Sequence, residues 1–440
     1  MPRNRIPRER AARPSAWSRA LALADQTPAS RNRYADFLRA ASILIVVLGH
    51  WLMAAPHFSQ GVSSLGHLLD VASWTHWLTW LLQVMPTFFV VGGFANAISW
   101  SRSQERGGSY ANWLASRLRR LTAPVAPLIA FWAVLGIIAS KTGVAPEMLR
   151  TGSQVALVPT WFLSVYVLVI LLVPLTYRAW QRFGLASVAV LALAAIAADA
   201  LAFGAGLTAL RWLNYVFVWS AVHQLGYAWR DGKLDGWRRP LLAVGGFAAL
   251  LALVHRGPYP VSMVGVPGEE ISNSLPPTIA LLALGFMQAG IVLSLERPIR
   301  RWLEGRRAWA ATVLVNASIM TLFLWHSTVL VLLIGLLVKL DGLGLALQPG
   351  TAGWWWARAP WVAVLAALLL PVMGLLGRFE RAKPATSRPT GVWLPLAAAL
   401  FFCLGVAFLA LSGVGGSGPL GIRVWAVALP LVAAFLTRTG

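Results

Sequence analysis

The chain carries about twelve apolar runs long enough for a helix to cross the ~30 Å hydrocarbon core of a bilayer. They lie near residues 37–55, 78–99, 121–140, 157–176, 185–204, 212–229, 240–254, 276–295, 312–338, 360–377, 393–412 and 423–437. In lipid every backbone N–H and C=O must be bonded within the protein, so such runs fold as helices. The expected fold is an all-α, polytopic transmembrane bundle.

Charge placement supports this. Lys and Arg number 37 against 15 Asp and Glu, giving +22. Read alone, a pI near 11.6 suggests a nucleic-acid binder. Yet 58% of the residues are hydrophobic and only 12% charged, which excludes disorder and one compact soluble domain. With the N-terminus placed in the cytoplasm and the runs alternating across the membrane, 30 of the 37 basic residues fall inside. The inside net is then +21 and the outside net +1, which is the positive-inside pattern, with both termini cytoplasmic. Anionic headgroups account for the surplus, and no nucleic acid is expected.

Residues 1–34 hold eight Arg and no apolar run, and read as a disordered basic tail. The run from Phe37 lacks a small-x-small cleavage site and reads as a retained anchor. The single Cys403 excludes an intramolecular disulfide. Trp74/Trp77/Trp80 and Trp354–Trp355–Trp356 fall at span ends, where indoles anchor to the interface. The spacing of His57, His67 and His76 matches no metal motif, and no metal is expected.

Polar groups inside the spans are the functional candidates, because lipid makes them costly. His50 lies deep in the first span, and Arg39 precedes it by eleven residues. That spacing puts both on one helix face, ~16 Å apart along the axis. Arg117 and Arg120 share a face if a helix begins there, and paired guanidiniums suit a polyphosphate. Trp161-Phe162-Leu163 and Tyr166 mark the outer end of the fourth run. His326, in Leu324-Trp325-His326, stands at a depth similar to His50. Asn96, Asp199, Gln288 and Asn316 read equally well as interhelical glue. The bland alternatives are a histidine bonded to a neighbouring helix and an ordinary cytoplasmic basic cluster.

These residues carry a resemblance. Arg39-x10-His50 resembles the first-helix signature of the bacterial membrane-bound acyltransferases of family three, which include polysaccharide O-acetyltransferases. Phe88-Phe89-Val-Val-Gly92-Gly93-Phe94 is similar to that family's FF-x-x-SGF segment, with Gly92 where Ser is common. Arg117-x-x-Arg120, Trp161-Phe-Leu and Leu324-Trp325-His326 resemble its later motifs, though no Glu follows Trp161-Phe-Leu as it does in many members. The resemblance covers roughly Arg33 to Phe379 and implies a ten-span core at 35–380 with an added C-terminal hairpin at 381–440.

It also implies a multi-pass protein of the bacterial plasma membrane. An acyl group, acetyl above all, would pass from cytoplasmic acyl-CoA to a hydroxyl of an extracytoplasmic glycan or glycolipid. Arg39, Arg117 and Arg120 would meet the donor's phosphates. His50 would act as general base, with His326 a second acid/base candidate. Trp161 and Tyr166 would face the acceptor. Acyl-CoA is then a co-substrate, and no permanently bound cofactor is expected. The alternative from another class is a transporter or flippase of a lipid-linked or sugar precursor. Against it, the two His-bearing runs, first and ninth, do not occupy equivalent places in two six-span halves.

Overall fold

Every apolar run contains a helix. The computed structural model describes residues 15–380 and 391–439. A helix α1 (Ala16–Asp25) precedes α2 (Arg33–Met53), which runs into a two-stranded antiparallel hairpin, β1 (Ala54–Ser59) and β2 (Val62–His67). There follow α3 (Met85–Glu105), α4 (Tyr110–Lys141), α5 (Thr160–Phe183), α6 (Leu185–Ala205) and α7 (Asn214–Arg230). Then come α8 (Arg238–Arg256), α9 (Ile279–Ser294), α10 (Glu296–Trp302), α11 (Arg306–Asn316) and α12 (Ile319–Lys339). The last helices are α13 (Arg358–Leu376), α14 (Trp393–Ser412) and α15 (Val424–Thr439); further helical segments, Pro146–Leu157 the longest of them, lie between several of these.

Among the described residues, nine helical segments are long and apolar enough to cross a membrane. The count is ten if α9 and α10, bent by 49° at Leu295, form one span. The sixth and twelfth runs fold as α7 and α15, of 17 and 16 residues, and are not in that count. Almost all of α7 is buried, so its polar Asn214, His223 and Gln224 meet protein rather than lipid.

The helix that matters most begins with a cap. Asn32 accepts from the Ala35 N–H at 3.1 Å and Asp36 lies in the first turn, both favourable at the positive end of the helix dipole. From there α2 packs against α3, α11, α12 and α13. The α3–α7 crossing depends on glycine. A Cβ at Gly93 would fall 1.8 Å from the His223 carbonyl oxygen, and one at Gly226 would fall 2.1 Å from that of Val90. The FFVVGGF segment therefore brings two backbones into direct contact.

Two expectations change. Residues 16–25 are helical rather than disordered: Ser15 caps α1 at the Ser18 N–H. Ala20 and Ala24 pack onto Leu303, Trp309 and Ala310. Asp25 pairs bidentately with Arg306 at 2.7 and 2.8 Å, and Trp309 donates to Thr27 at 2.8 Å. Small residues four apart are enough to dock a helix, though they make no apolar run. The remainder of the proposed tail, residues 1–14, lies outside the described residues, as does 381–390 ahead of the proposed hairpin.

The ninth run also differs, because Ala317 and Ser318 break it. Asn316 ends α11 instead of lying within a span, and the Glu380 carboxylate accepts from the Thr321 N–H in the first turn of α12. The C-terminal pair α14–α15 packs along α4 and α5, with Arg119 donating to the Thr437 carbonyl at 2.7 Å.

Candidate active site

His50 and His326 meet. His50 Nδ1 is 2.7 Å from His326 Nε2, and the two rings stack with centroids 5.0 Å apart. His326 is fully buried, whereas His50 is partly accessible. The other nitrogen of His326, Nδ1, lies 2.6 Å from the Phe323 carbonyl oxygen. A carbonyl only accepts, so that Nδ1 carries a proton and, in the neutral ring, Nε2 accepts. His50 Nδ1 then donates to it. Hydrogen-bond accounting thus leaves His50 Nε2 as a free lone pair. Ser327 Oγ, 3.1 Å from His326 Nε2, and Trp51 Nε1, donating to the His326 carbonyl at 3.1 Å, hold the pair further.

One end of α2 is cationic. Arg39 donates from Nε to Asn316 Oδ1 at 2.8 Å and from Nη2 to Asp36 at 2.9 Å. Asn316 in turn donates to the Asp36 carbonyl at 3.0 Å. The break in the ninth run therefore supplies the amide that aims this guanidinium, while Nη1 has no partner among the described residues. Its side chain keeps 36% of its surface accessible. Arg117 is half-buried, lies over the Trp113 ring at 5.7 Å, and has no hydrogen-bond or ion-pair partner among the described residues. Arg120, one turn on along α4, is exposed.

Tyr166 stands elsewhere than expected. Its ring leans on Gly92, where a Cβ would come within 2.8 Å of Cε2, and its hydroxyl accepts from Asn96 at 3.4 Å. Tyr166 sits nearly two turns into α5, within range of the Arg117 and Arg39 charges, rather than at the outer end of the run. Trp161, in the first turn, packs edge-on against Phe162. No hydrogen bond or ring contact joins it to the histidines among the described residues.

Sequence reasoning passed over His223, which is fully buried with Nε2 3.1 Å from Asn96. A histidine in an apolar run was the available signal. Asp199 bonds Asn214, Tyr259 and the Ile279 N–H at the start of α9. Gln288 donates to the Trp80 and Gln83 carbonyls. Both act as helix connectors. His57, His67 and His76 each meet backbone atoms, and among the described residues no group of three or more His, Cys, Asp or Glu is placed to hold a metal.

A helix bundle with a charged interior and a coupled imidazole pair is a polytopic membrane protein equipped for chemistry. Residues 32–378 match the family model described as an acyltransferase domain, and the chain belongs to that family, acyltransferase family three. It is accordingly a membrane acyltransferase. The match ends ahead of α14 and α15. No curated protein and no solved structure matches the chain.

Proposed function

We propose that this protein transfers an acyl group, acetyl above all, from cytoplasmic acyl-CoA to a hydroxyl of an extracytoplasmic glycan or glycolipid. The observation that carries this reading is the His326-oriented lone pair on His50 Nε2, on the same helix as Arg39. The donor's phosphates meet Arg39, Arg117 and Arg120, whose planar forks suit phosphate oxygens. The pantetheine arm follows α2 to His50. There the acceptor oxygen attacks the thioester carbonyl carbon while His50 Nε2 takes its proton. The C–S bond then breaks, and the departing thiolate recovers that proton from Nε2. His326 stays bonded to Nδ1 throughout and supports the imidazolium as it forms, much as the orienting member of a catalytic triad does.

The test is His50→Ala in proteoliposomes loaded with labelled acetyl-CoA. Thioester cleavage and label transfer to an external acceptor should fall by at least about 10²-fold, with protein yield unchanged. Near-normal turnover would sink the mechanism. Substrate counterflow without thioester cleavage would point to transport instead.

A further inference from the structure

Beyond His50, at the other end of α2 from Arg39, two donors without acceptors sit side by side. Arg358, the first residue of α13, lays its guanidinium over the Trp354 ring at 4.1 Å and the Trp361 ring at 5.3 Å. Its Nη1 donates at 3.2 Å to the carbonyl of Ala54, the residue that caps α2. Ala54 follows His50 by four residues, ~6 Å along the axis. The Arg358 Nε is buried and has no acceptor among the described residues, and the same holds for Trp354 Nε1. Trp354 as a whole is only 1% exposed. No carboxylate pairs with Arg358 among the described residues. The cluster is also tied to the base pair, since Trp361 donates to the Trp51 carbonyl and Trp51 to that of His326.

Folded proteins leave few buried donors unpaired, and a bound ion or polar group is one account of an exception. A guanidinium stacked on an indole, each with an unpaired buried N–H, suits an acceptor with negative charge, which bonds such donors with charge assistance. On the proposed function the donor's phosphates are met by Arg39, eleven residues before His50, with Arg117 and Arg120 of α4, so Arg358 at the far end of α2 is left to the other substrate.

We propose that Arg358 and Trp354 bind an anionic oxygen group, carboxylate or phosphate, carried by the acceptor, which is therefore an acidic glycan or glycolipid. The inference rests on the reading of His50 as the base that meets the acceptor. Its test is a binding experiment, separate from turnover. Purified protein in neutral phosphatidylcholine nanodiscs is titrated with methyl β-D-glucuronate and with uncharged methyl β-D-glucoside, followed by tryptophan fluorescence. Wild type should bind the glucuronate roughly tenfold tighter. Trp354→Phe keeps the ring and removes only the N–H, and should cut that preference several-fold. Arg358→Lys should do the same, and Arg358→Gln should abolish it.

Equal affinities in wild type overturn the proposal, as does a preference that survives both Trp354→Phe and Arg358→Gln. An Arg358-dependent response to phosphatidylglycerol in the disc, with no preference for glucuronate, assigns the anion to a lipid headgroup and likewise overturns it. Acetyl-CoA cleavage by the same wild-type preparation reads the proposed chemistry independently, so the two can fail separately.

Discussion

His326 matters through a proton it never gives up. Because its Nδ1 is committed to the Phe323 carbonyl, its Nε2 accepts a hydrogen bond from His50 Nδ1, and the His50 Nε2 is left bare. Replacing His326 by Ala should therefore lower kcat by roughly 10²-fold or more while leaving KM for acyl-CoA nearly unchanged, as steady-state kinetics would show. Activity should rise with pH as His50 Nε2 loses its proton and fall in acid, and the acid limb should vanish from the residual rate of His50→Ala. The double variant Arg117→Gln/Arg120→Gln should raise KM for acyl-CoA about a hundredfold, since each of the two lost charge-assisted hydrogen bonds is worth about 1.5 kcal/mol or more. A phosphate-free thioester donor should be indifferent to that change. Arg39, His50 and His326 were legible in the sequence because helical periodicity and depth are one-dimensional quantities. The unpaired donors of Arg358 and Trp354 were not, because an unpaired donor is defined by what surrounds it in space.

At the level of elements, the sequence located helices well and their interruptions poorly. Residues 312–338 read as one apolar run, yet the helix ends where Asn316 and Ser318 interrupt it, and the Asn316 amide is engaged by Arg39. Helix α1 was hidden for the opposite reason: its docking face is made of alanines. The Asp25 carboxyl is held below its ordinary range by the Arg306 hydrogen bond, so its contribution to docking is present at neutral pH and lost as pH falls through that lowered value. Protease accessibility of residues 16–25 should increase in acid and in high salt. Trp309→Ala should release α1 altogether, since truncating a fully buried indole costs about 3–5 kcal/mol.

For the molecule as a whole, the charge count and the family match describe different boundaries. The charge asymmetry expected of alternating runs extends from the N-terminus to Arg438, whereas the matched region stops at residue 378. Helices α14 and α15 lie outside it yet cover buried polar groups of the core, with Thr122 bonded to Thr437 and Ser164 to the Cys403 carbonyl. Truncation after residue 390 should therefore lower the melting temperature in detergent, and an unchanged melting curve would show the pair to be dispensable. Because α2 is one unbroken helix, it also acts as a ruler. Arg39, His50 and the carbonyl that holds Arg358 are marks on one rigid rod, so neighbouring helices can shift without changing their separation. On the proposed function the enzyme would measure its donor: the reach from phosphate to sulfur, more than the acyl group, would decide which thioesters react. One alanine inserted between Arg39 and His50 would advance the scale by only ~1.5 Å but swing its two halves ~100° apart.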